Sequence, residues 1–419
     1  MKATLLLIFG IFTSAIALPQ KTQRVLFIGN SYTGVNNLPQ IIANIALPEG
    51  DTLIFDSNTP GGQTLQGHSN NTTTINKIMA GNWNYGVLQE QSQLPSFGLA
   101  QVQQSVFPYA RLLDSLIKTY NPCAETMFYM TWGRKNGDAS NCSNWPPVCT
   151  YNGMDSLLYL RYMMMAENNN AIVSPVGAVW RYIRENYPSI ELYQADESHP
   201  SVAGSYAAAC CFYTTIFRKN PLLISNNYSL PASLAANIRQ AVKTVVFDNL
   251  LNWHVGEYDP KADFNYSVNG NSVTLENIST NTSSYHWGFG DGSSSSLPSP
   301  THLYANPGNY PVTLVAKHCG RTDSITQLIS IEPGSGSGGN NTDSLITIYP
   351  NPATQNIVIH SNQNSIGRAF TVYNIEGRKI LTGKLNAEKT RVALDHLPGG
   401  LYIISIDNLF KQKIKLTKY

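Results

Sequence analysis

Charge is what this chain has least of. Asp, Glu, Lys and Arg together supply 13% of its 419 residues and the formal net charge is +2, so no basic surface is on offer to a phosphate backbone and nucleic acid is excluded as a partner. Long apolar runs are missing after the first residues. No later segment approaches the run of about 18 apolar residues that marks a membrane-spanning helix, so the mature chain is expected to hold no transmembrane segment. Neither Cys-x-x-Cys nor His-Glu-x-x-His occurs, which leaves no spacing for a zinc site. No metal and no organic cofactor is expected. What is present is a hydrophobic content of 42%, ample for real cores. The uncharged surface falls to Asn, Ser, Thr and Tyr, a composition that fits secreted proteins working on or beside sugars.

Residues 1–17 read as a secretory signal peptide, with Lys2 as the positive end, an apolar stretch over 5–12 and Ala15-Ile16-Ala17 as the cleavage site. Export permits disulfides. Cys142 and Cys149 flank Ser-Asn-Trp-Pro-Pro-Val and are the best candidate pair, free thiols being the alternative. Cys210 and Cys211 are adjacent on an expected helix, where their side chains diverge and fill core.

The mature length suggests two or three domains. Over residues 24–253 short apolar runs (52–55, 85–89, 126–131, 171–174) alternate with helical stretches (101–119, 156–168, 176–185, 203–217), the pattern of an α/β domain with a parallel sheet covered on both faces. After about residue 257 short alternating runs separated by Gly, Pro, Asn and Ser read as small β-sandwiches. The expected borders are 18–256 for the α/β head, 257–333 for a first sandwich, 334–343 for a Gly/Ser linker and 344–419 for a second all-β domain.

The head is organised around residues 24–33. Val25 to Ile28 form a nearly unbroken apolar run, as in a strand buried on both faces, and Gly29-Asn30 end it in a turn. Ser31 then falls at the carboxyl end of the first strand, where open α/β sheets bind ligands. Late in the head comes Gln194-Ala195-Asp196-Glu197-Ser198-His199-Pro200. Asp and His spaced this way can turn one imidazole nitrogen to the carboxylate and the other toward Ser31, the parts that a serine nucleophile requires.

With Gly29-Asn30-Ser31 and Asp196-x-x-His199, the head resembles the SGNH, or GDSL-like, hydrolases over about residues 24–217. The resemblance implies a flavodoxin-like, three-layer α/β/α fold with Ser31, His199 and Asp196 as catalytic residues. It also implies a glycine whose N–H faces the oxyanion, matched by Thr59-Pro60-Gly61-Gly62-Gln63-Thr64, with Gly62 favoured over Gly61. One block departs: in place of the usual Gly-x-Asn-Asp, the third strand ends Val87-Leu88-Gln89-Glu90-Gln91-Ser92. This is similar to glutamine-bearing variants in some acetylesterases and in a little-characterised secreted subfamily. A glutamine amide can donate the same hydrogen bond, with Gln89 the first choice and Gln91 the second. Met130-Thr131-Trp132 matches a further block of that subfamily, and Trp132 either walls the substrate cleft or packs in the core. His68, His254 and Met163 to Met165 are read as structural.

Tyr285-His286-Trp287-Gly288-Phe289-Gly290-Asp291-Gly292, Pro300-Thr301-His302-Leu303-Tyr304 and the run over 307–314 closely resemble a polycystic-kidney-disease-type (PKD) domain, an immunoglobulin-like sandwich. The resemblance implies Trp287 and Tyr304 in its core and a role as spacer, favoured here, or as polymer binder. The last residues, with Ile346-Thr347-Ile348-Tyr349-Pro350-Asn351-Pro352 and Leu397-Pro398-Gly399-Gly400-Leu401-Tyr402, resemble the C-terminal sorting domain of the type IX secretion system. That implies the secretion machinery as partner and delivery through periplasm and outer membrane to the cell surface or beyond. The combined expectation is a secreted serine esterase that removes acetyl or other short acyl groups from a carbohydrate. A surface carbohydrate-binding protein with a degenerate SGNH head and a lipase or phospholipase are the alternatives.

Overall fold

A computed structural model describes residues 20–332, 346–361, 363–374, 378–406 and 413–418. The expected signal peptide at 1–17, the linker at 334–343 and the turn at Glu376-Gly377 lie outside the described residues. The chain divides into two compact units, parted between residues 333 and 334.

In the first unit β1 (Thr22–Ile28), β2 (Thr52–Asn58), β3 (Tyr85–Leu88), β4 (Glu125–Tyr129) and β5 (Ile172–Ser174) form a parallel sheet in the order β2-β1-β3-β4-β5. This is the doubly wound, flavodoxin-like order, whose direction reverses between β1 and β3. Val25, Leu26 and Phe27 are fully buried, as their apolar run requires of a central strand. The helices are α1 (Ser31–Gly34), α2 (Leu38–Ala46), α3 (Leu65–Ser69), α4 (Thr72–Met79), α5 (Leu99–Ser105), α6 (Phe107–Tyr120), α7 (Tyr151–Asn169), α8 (Val176–Asn186), α9 (Val202–Phe217) and α10 (Ala232–Val245). They form two groups: α2, α8 and α10 pack on α9, and α3, α4, α5 and α7 pack on α6. Helix α9 is buried at every residue from Ala203 to Phe217, and Cys210 and Cys211 are free thiols in that core.

Two helices differ from the sequence expectation. The stretch over 101–119 is broken in two at Val106 (φ −124°, ψ −59°), because Pro108 sits in the first turn of α6 and cannot donate into a preceding helical turn. Helix α7 starts at Tyr151 rather than 156, since the Thr150 hydroxyl caps it by accepting from the Gly153 amide. Helices α2, α4 and α10 were not anticipated. Among the described residues no helix is long and apolar enough to cross a membrane.

The rest of the first unit is a sandwich of β6 (Phe264–Asn269), β7 (Ser272–Asn277), β8 (Ser284–Gly288), β9 (Ser294–Ser295), β10 (Thr301–Leu303), β11 (Gly308–His318) and β12 (Arg321–Ile331), in sheets β10-β7-β6 and β12-β11-β8-β9. Trp287, Tyr304, Val312 and Leu314 are buried between them. The sandwich is fastened to the head. Cys319, in the β11–β12 turn, is disulfide-bonded to Cys123, just before β4, and Arg321 grips Glu125, the first residue of β4, through Nη1 (2.8 Å) and Nη2 (2.5 Å). Arg321 and Arg218 both pair with Asp259. This joint lies at the amino end of the parallel sheet, so the head and the first sandwich, read as separate modules, are bridged.

The second unit holds β13 (Thr347–Tyr349), β14 (Asn356–His360), β15 (Ala369–Asn374), β16 (Lys379–Lys384), β17 (Lys389–Ala393), β18 (Gly400–Ile406) and β19 (Lys413–Lys418). They form antiparallel sheets β13-β14-β17 and β16-β15-β18-β19 around Ile357, Ile359, Val372, Ile404 and Leu416.

Candidate active site

Strand β1 ends at Ile28, and Ser31 opens α1 at the carboxyl edge of the sheet, beside the point where strand order reverses. Three contacts of Asn30 build the turn between them: its Oδ1 accepts from the Tyr32 amide (3.1 Å), its Nδ2 donates to the Gln63 carbonyl (2.9 Å), and its own amide donates to Gln89 Oε1 (2.9 Å). The second of these ties the Gly61-Gly62 loop to the serine turn. Gly29 has to be glycine, because a Cβ there would lie 2.6 Å from Gln89 Oε1 and 2.8 Å from Thr33 Oγ1.

On the loop between Tyr193 and Ser201, Asp196 Oδ1 accepts from the amides of Ser198 (3.1 Å) and His199 (3.0 Å). Its Oδ2 lies 2.5 Å from His199 Nδ1, and His199 Nε2 lies 2.8 Å from Ser31 Oγ. A carboxylate can only accept, so Nδ1 carries the proton and Nε2 presents its lone pair to the serine hydroxyl. Desolvation pushes the Asp196 carboxyl upward, but the bonds from the His199 ring and from the His199 and Ser198 amides outweigh it and hold the group below the usual carboxylate range.

The imidazole rests on stacked rings. The Tyr32 ring meets His199 edge-on at 5.3 Å and stacks on Trp132 at 4.8 Å, and Trp132 stacks on Trp180 at 3.7 Å. The Trp132 indole N–H donates to the Ser198 carbonyl (3.1 Å), while Tyr32 Oη and Ser198 Oγ share a bond of 2.6 Å. Trp132 is fully buried. It therefore does not wall a cleft: both faces are covered by other rings, and it supports the Asp196–His199 loop from beneath.

Gln89 also departs from expectation. It is fully buried, its Oε1 accepts from the Asn30 amide and Thr33 Oγ1, and its Nε2 donates to Asn30 Oδ1 (3.0 Å) and to the Glu90 carbonyl (2.5 Å). Both amide hydrogens are thus spent, one on the serine turn and one on the loop after β3, and none is left for an oxyanion. Gln91 is half-buried; it donates one hydrogen to Gln93 Oε1 (3.0 Å) and keeps the other. The amides of Ser31 and Gly62 have no partner among the described residues. Gly62 takes φ +69°, a left-handed conformation that a side chain would resist.

Three residues that the sequence did not tie to the site support it. His68, read as structural, is fully buried and lies 2.7 Å through Nε2 from the Gly29 carbonyl and 2.8 Å through Nδ1 from Thr74 Oγ1. Burial lowers its pKa despite the Gly29 bond, so a neutral ring, protonated on Nε2, pins the serine turn. Its place six residues beyond Gly62 was the available signal. Tyr32 was visible only as the neighbour of Ser31. Glu90, also fully buried, accepts from the amides of Leu65 (3.2 Å) and Gln91 (2.6 Å), and its burial pushes the carboxyl up to about 8 against those two bonds. It joins the start of α3, which follows the Gly62 loop, to the loop after β3.

The structure joins Cys142 to Cys149; the second bond, Cys123 to Cys319, had no sequence signal. A cavity of about 580 Å³ lined by Lys118, Glu125, Tyr258 and Arg321 lies at the sandwich joint, at the opposite end of the sheet from Ser31. Among the described residues no group of three or more His, Cys, Asp or Glu side chains could hold a metal ion.

Comparison with known proteins gives matches for each part. Residues 262–332 match the PKD domain family, and residues 347–417 match the secretion system C-terminal sorting domain. No curated protein matches the chain. Among solved structures, it is similar to a DUF4886 family protein from Bacteroides uniformis, at 19% identity over 55% of this chain and 95% of that one, with a TM-score of 0.47. It is also similar to the psychrotrophic esterase EstA from Pseudoalteromonas sp., at 14% identity over 47% of this chain and 97% of that one (TM-score 0.34). The PKD1 domain of the Vibrio cholerae metalloprotease PrtV is 36% identical over 18% of this chain and 99% of that one (TM-score 0.18). The chain thus carries a PKD domain and a type IX sorting domain, which sends it to the cell surface or the extracellular space, behind a head built on a doubly wound, five-stranded parallel sheet.

Proposed function

We propose that the head is a serine esterase that removes acetyl or other short acyl groups from a carbohydrate at or outside the cell surface. The observation that carries this reading is His199, placed 2.8 Å from Ser31 Oγ on one side and 2.5 Å from Asp196 on the other. His199 accepts the proton of Ser31 as the serine attacks the ester carbonyl, and Asp196 steadies the imidazolium that forms. The free amides of Ser31 and Gly62, with Gln91 as the candidate side-chain donor, hold the oxyanion. The alcohol leaves with the proton from His199, and water activated by the same histidine releases the acid from the acyl-enzyme. Carbohydrate as the alcohol is favoured by the sparsely charged, amide- and hydroxyl-rich composition. The same reading takes 18–256 as the catalytic domain, 257–333 as the PKD domain and 344–419 as the sorting domain.

Hydrolysis of p-nitrophenyl acetate by the full mature chain tests it. Ser31→Ala and His199→Ala should each lower turnover by roughly 10⁴–10⁶-fold, and an organophosphonate should label the parent on Ser31. A parent that neither turns over the ester nor takes the label would remove the esterase reading and leave a sugar-binding head.

A further inference from the structure

We propose that the loop closed by Cys142 and Cys149 and the loop that follows β3 form a subsite for a neutral sugar ring, held between the aromatic rings of Trp145 and Phe97 and the neighbouring side-chain amides. The assignment rests on the esterase reading for the molecule whose ester reaches Ser31. A cavity of about 260 Å³ is lined by Phe97, Gly98, Gln101, Asn141, Asn144 and Trp145. That is below the range of about 300–1,000 Å³ occupied by drug-sized ligands, a size for a single ring.

The lining chemistry narrows the class of ligand. Two half-exposed rings offer flat apolar faces, suited to the C–H face of a pyranose. Three carboxamides offer donors and acceptors side by side, which is what hydroxyl groups need. No charged side chain lines the cavity, so a phosphate, sulfate or uronate gains no partner there. The side-chain amides of Gln101 and Asn144 have no partner in the protein among the described residues. An acyl chain would offer the Gln101 and Asn144 amides no partner.

The cavity is fixed in shape before anything enters. The Trp145 indole N–H donates to the Ser96 carbonyl (3.0 Å), which sets the plane of the ring, and the Trp145 amide donates to the Asn141 carbonyl (2.9 Å). The disulfide closes the loop that carries Asn144 and Trp145. Buried Asp138 then couples the two loops, accepting at Oδ2 from Gln93 Nε2 (2.7 Å) and from Asn141 Nδ2 (2.7 Å). Gln93 is bonded in turn to Gln91, the oxyanion candidate. Both loops leave the carboxyl ends of their strands, the edge that also carries Ser31. A sugar seated here extends from the catalytic edge, and its fixed walls spare it the cost of ordering a loop.

The test is titration calorimetry on the full chain carrying Ser31→Ala, with xylotetraose, cellotetraose, mannotetraose and chitotetraose as probes. At least one of the four should bind, and the double variant Gln101→Ala/Asn144→Ala should weaken it roughly tenfold or more. Trp145→Phe, which keeps a ring but loses the bond to Ser96, should weaken it as well, with the Asp196–His199 loop unaffected. Binding of none of the four, or equal affinity in parent and variants, overturns the subsite. No turnover is measured, so a chain that binds a tetrasaccharide through these residues yet fails on p-nitrophenyl acetate keeps the subsite and loses only the esterase.

Discussion

At the carboxyl end of the parallel sheet, Ser31, His199 and Asp196 are positioned by hydrogen bonds and stacked rings, and the Asp196 side chain remains 47% exposed. At the amino end of the same sheet, β4 is tied to the sandwich by a covalent bond and by a two-pronged Arg321–Glu125 ion pair only 16% exposed on the carboxylate side. On the proposed reading, the first end holds groups that exchange protons and admit substrate. The second holds groups that never have to move. Chemistry and cohesion thus sit about a strand length apart, and substitutions should separate them.

Of the substitutions that set one end against the other, Asp196→Asn should have the largest effect. It keeps an oxygen for the Ser198 and His199 amides but no longer fixes the imidazole tautomer, so kcat/KM should fall by about 10²–10⁴. Stability should fall by no more than about 1–2 kcal/mol in denaturant titrations, the cost of trading a charged acceptor for a neutral one on an exposed loop. A large loss of stability together with activity would mean that the two ends are not separable. Replacing Cys123 and Cys319 together by serine should do the reverse. Freeing a link across 196 residues should cost about 2–4 kcal/mol in unfolding free energy, with p-nitrophenyl acetate turnover within twofold of the parent. The third test leaves both ends intact and concerns Glu90, whose carboxyl is raised from 4.5 to about 8. A raised carboxyl favours the folded protein below about pH 4.5, and that contribution is lost as pH rises through about 8. In melting curves between pH 4.5 and 9, Glu90→Gln should flatten the decline seen in the parent, whereas parallel curves would place the Glu90 carboxyl at its ordinary value.

The readable parts of the sequence were those in which a short stretch states its own geometry. Gly29-Asn30-Ser31 after an apolar run and Asp196-x-x-His199 before a helix each specify a turn and a direction, and the structure brings the two together. Gln89 was harder, because its position at a strand end was plain but whether its amide faced outward was not. The choice was made by Asn30, which needed a partner for its own amide and offered Oδ1 in return. Trp132 fell on the buried side for a related reason, since Tyr32 and Trp180 supply ring faces on both sides. The Cys123–Cys319 bond was beyond reach, as pairings across such separations cannot be deduced from spacing.

The loop between Cys142 and Cys149 closes on itself within a sequence separation of 7 residues, while the stack of Tyr32, Trp132 and Trp180 lies outside it. For an engineer this makes it a cassette: its tip can be randomised or grafted without repacking the floor beneath the imidazole. On the proposed reading, the same arrangement gives natural variation a place to work: exchanging this one crosslinked finger would retune the sugar subsite and leave Ser31, His199 and Asp196 where they are.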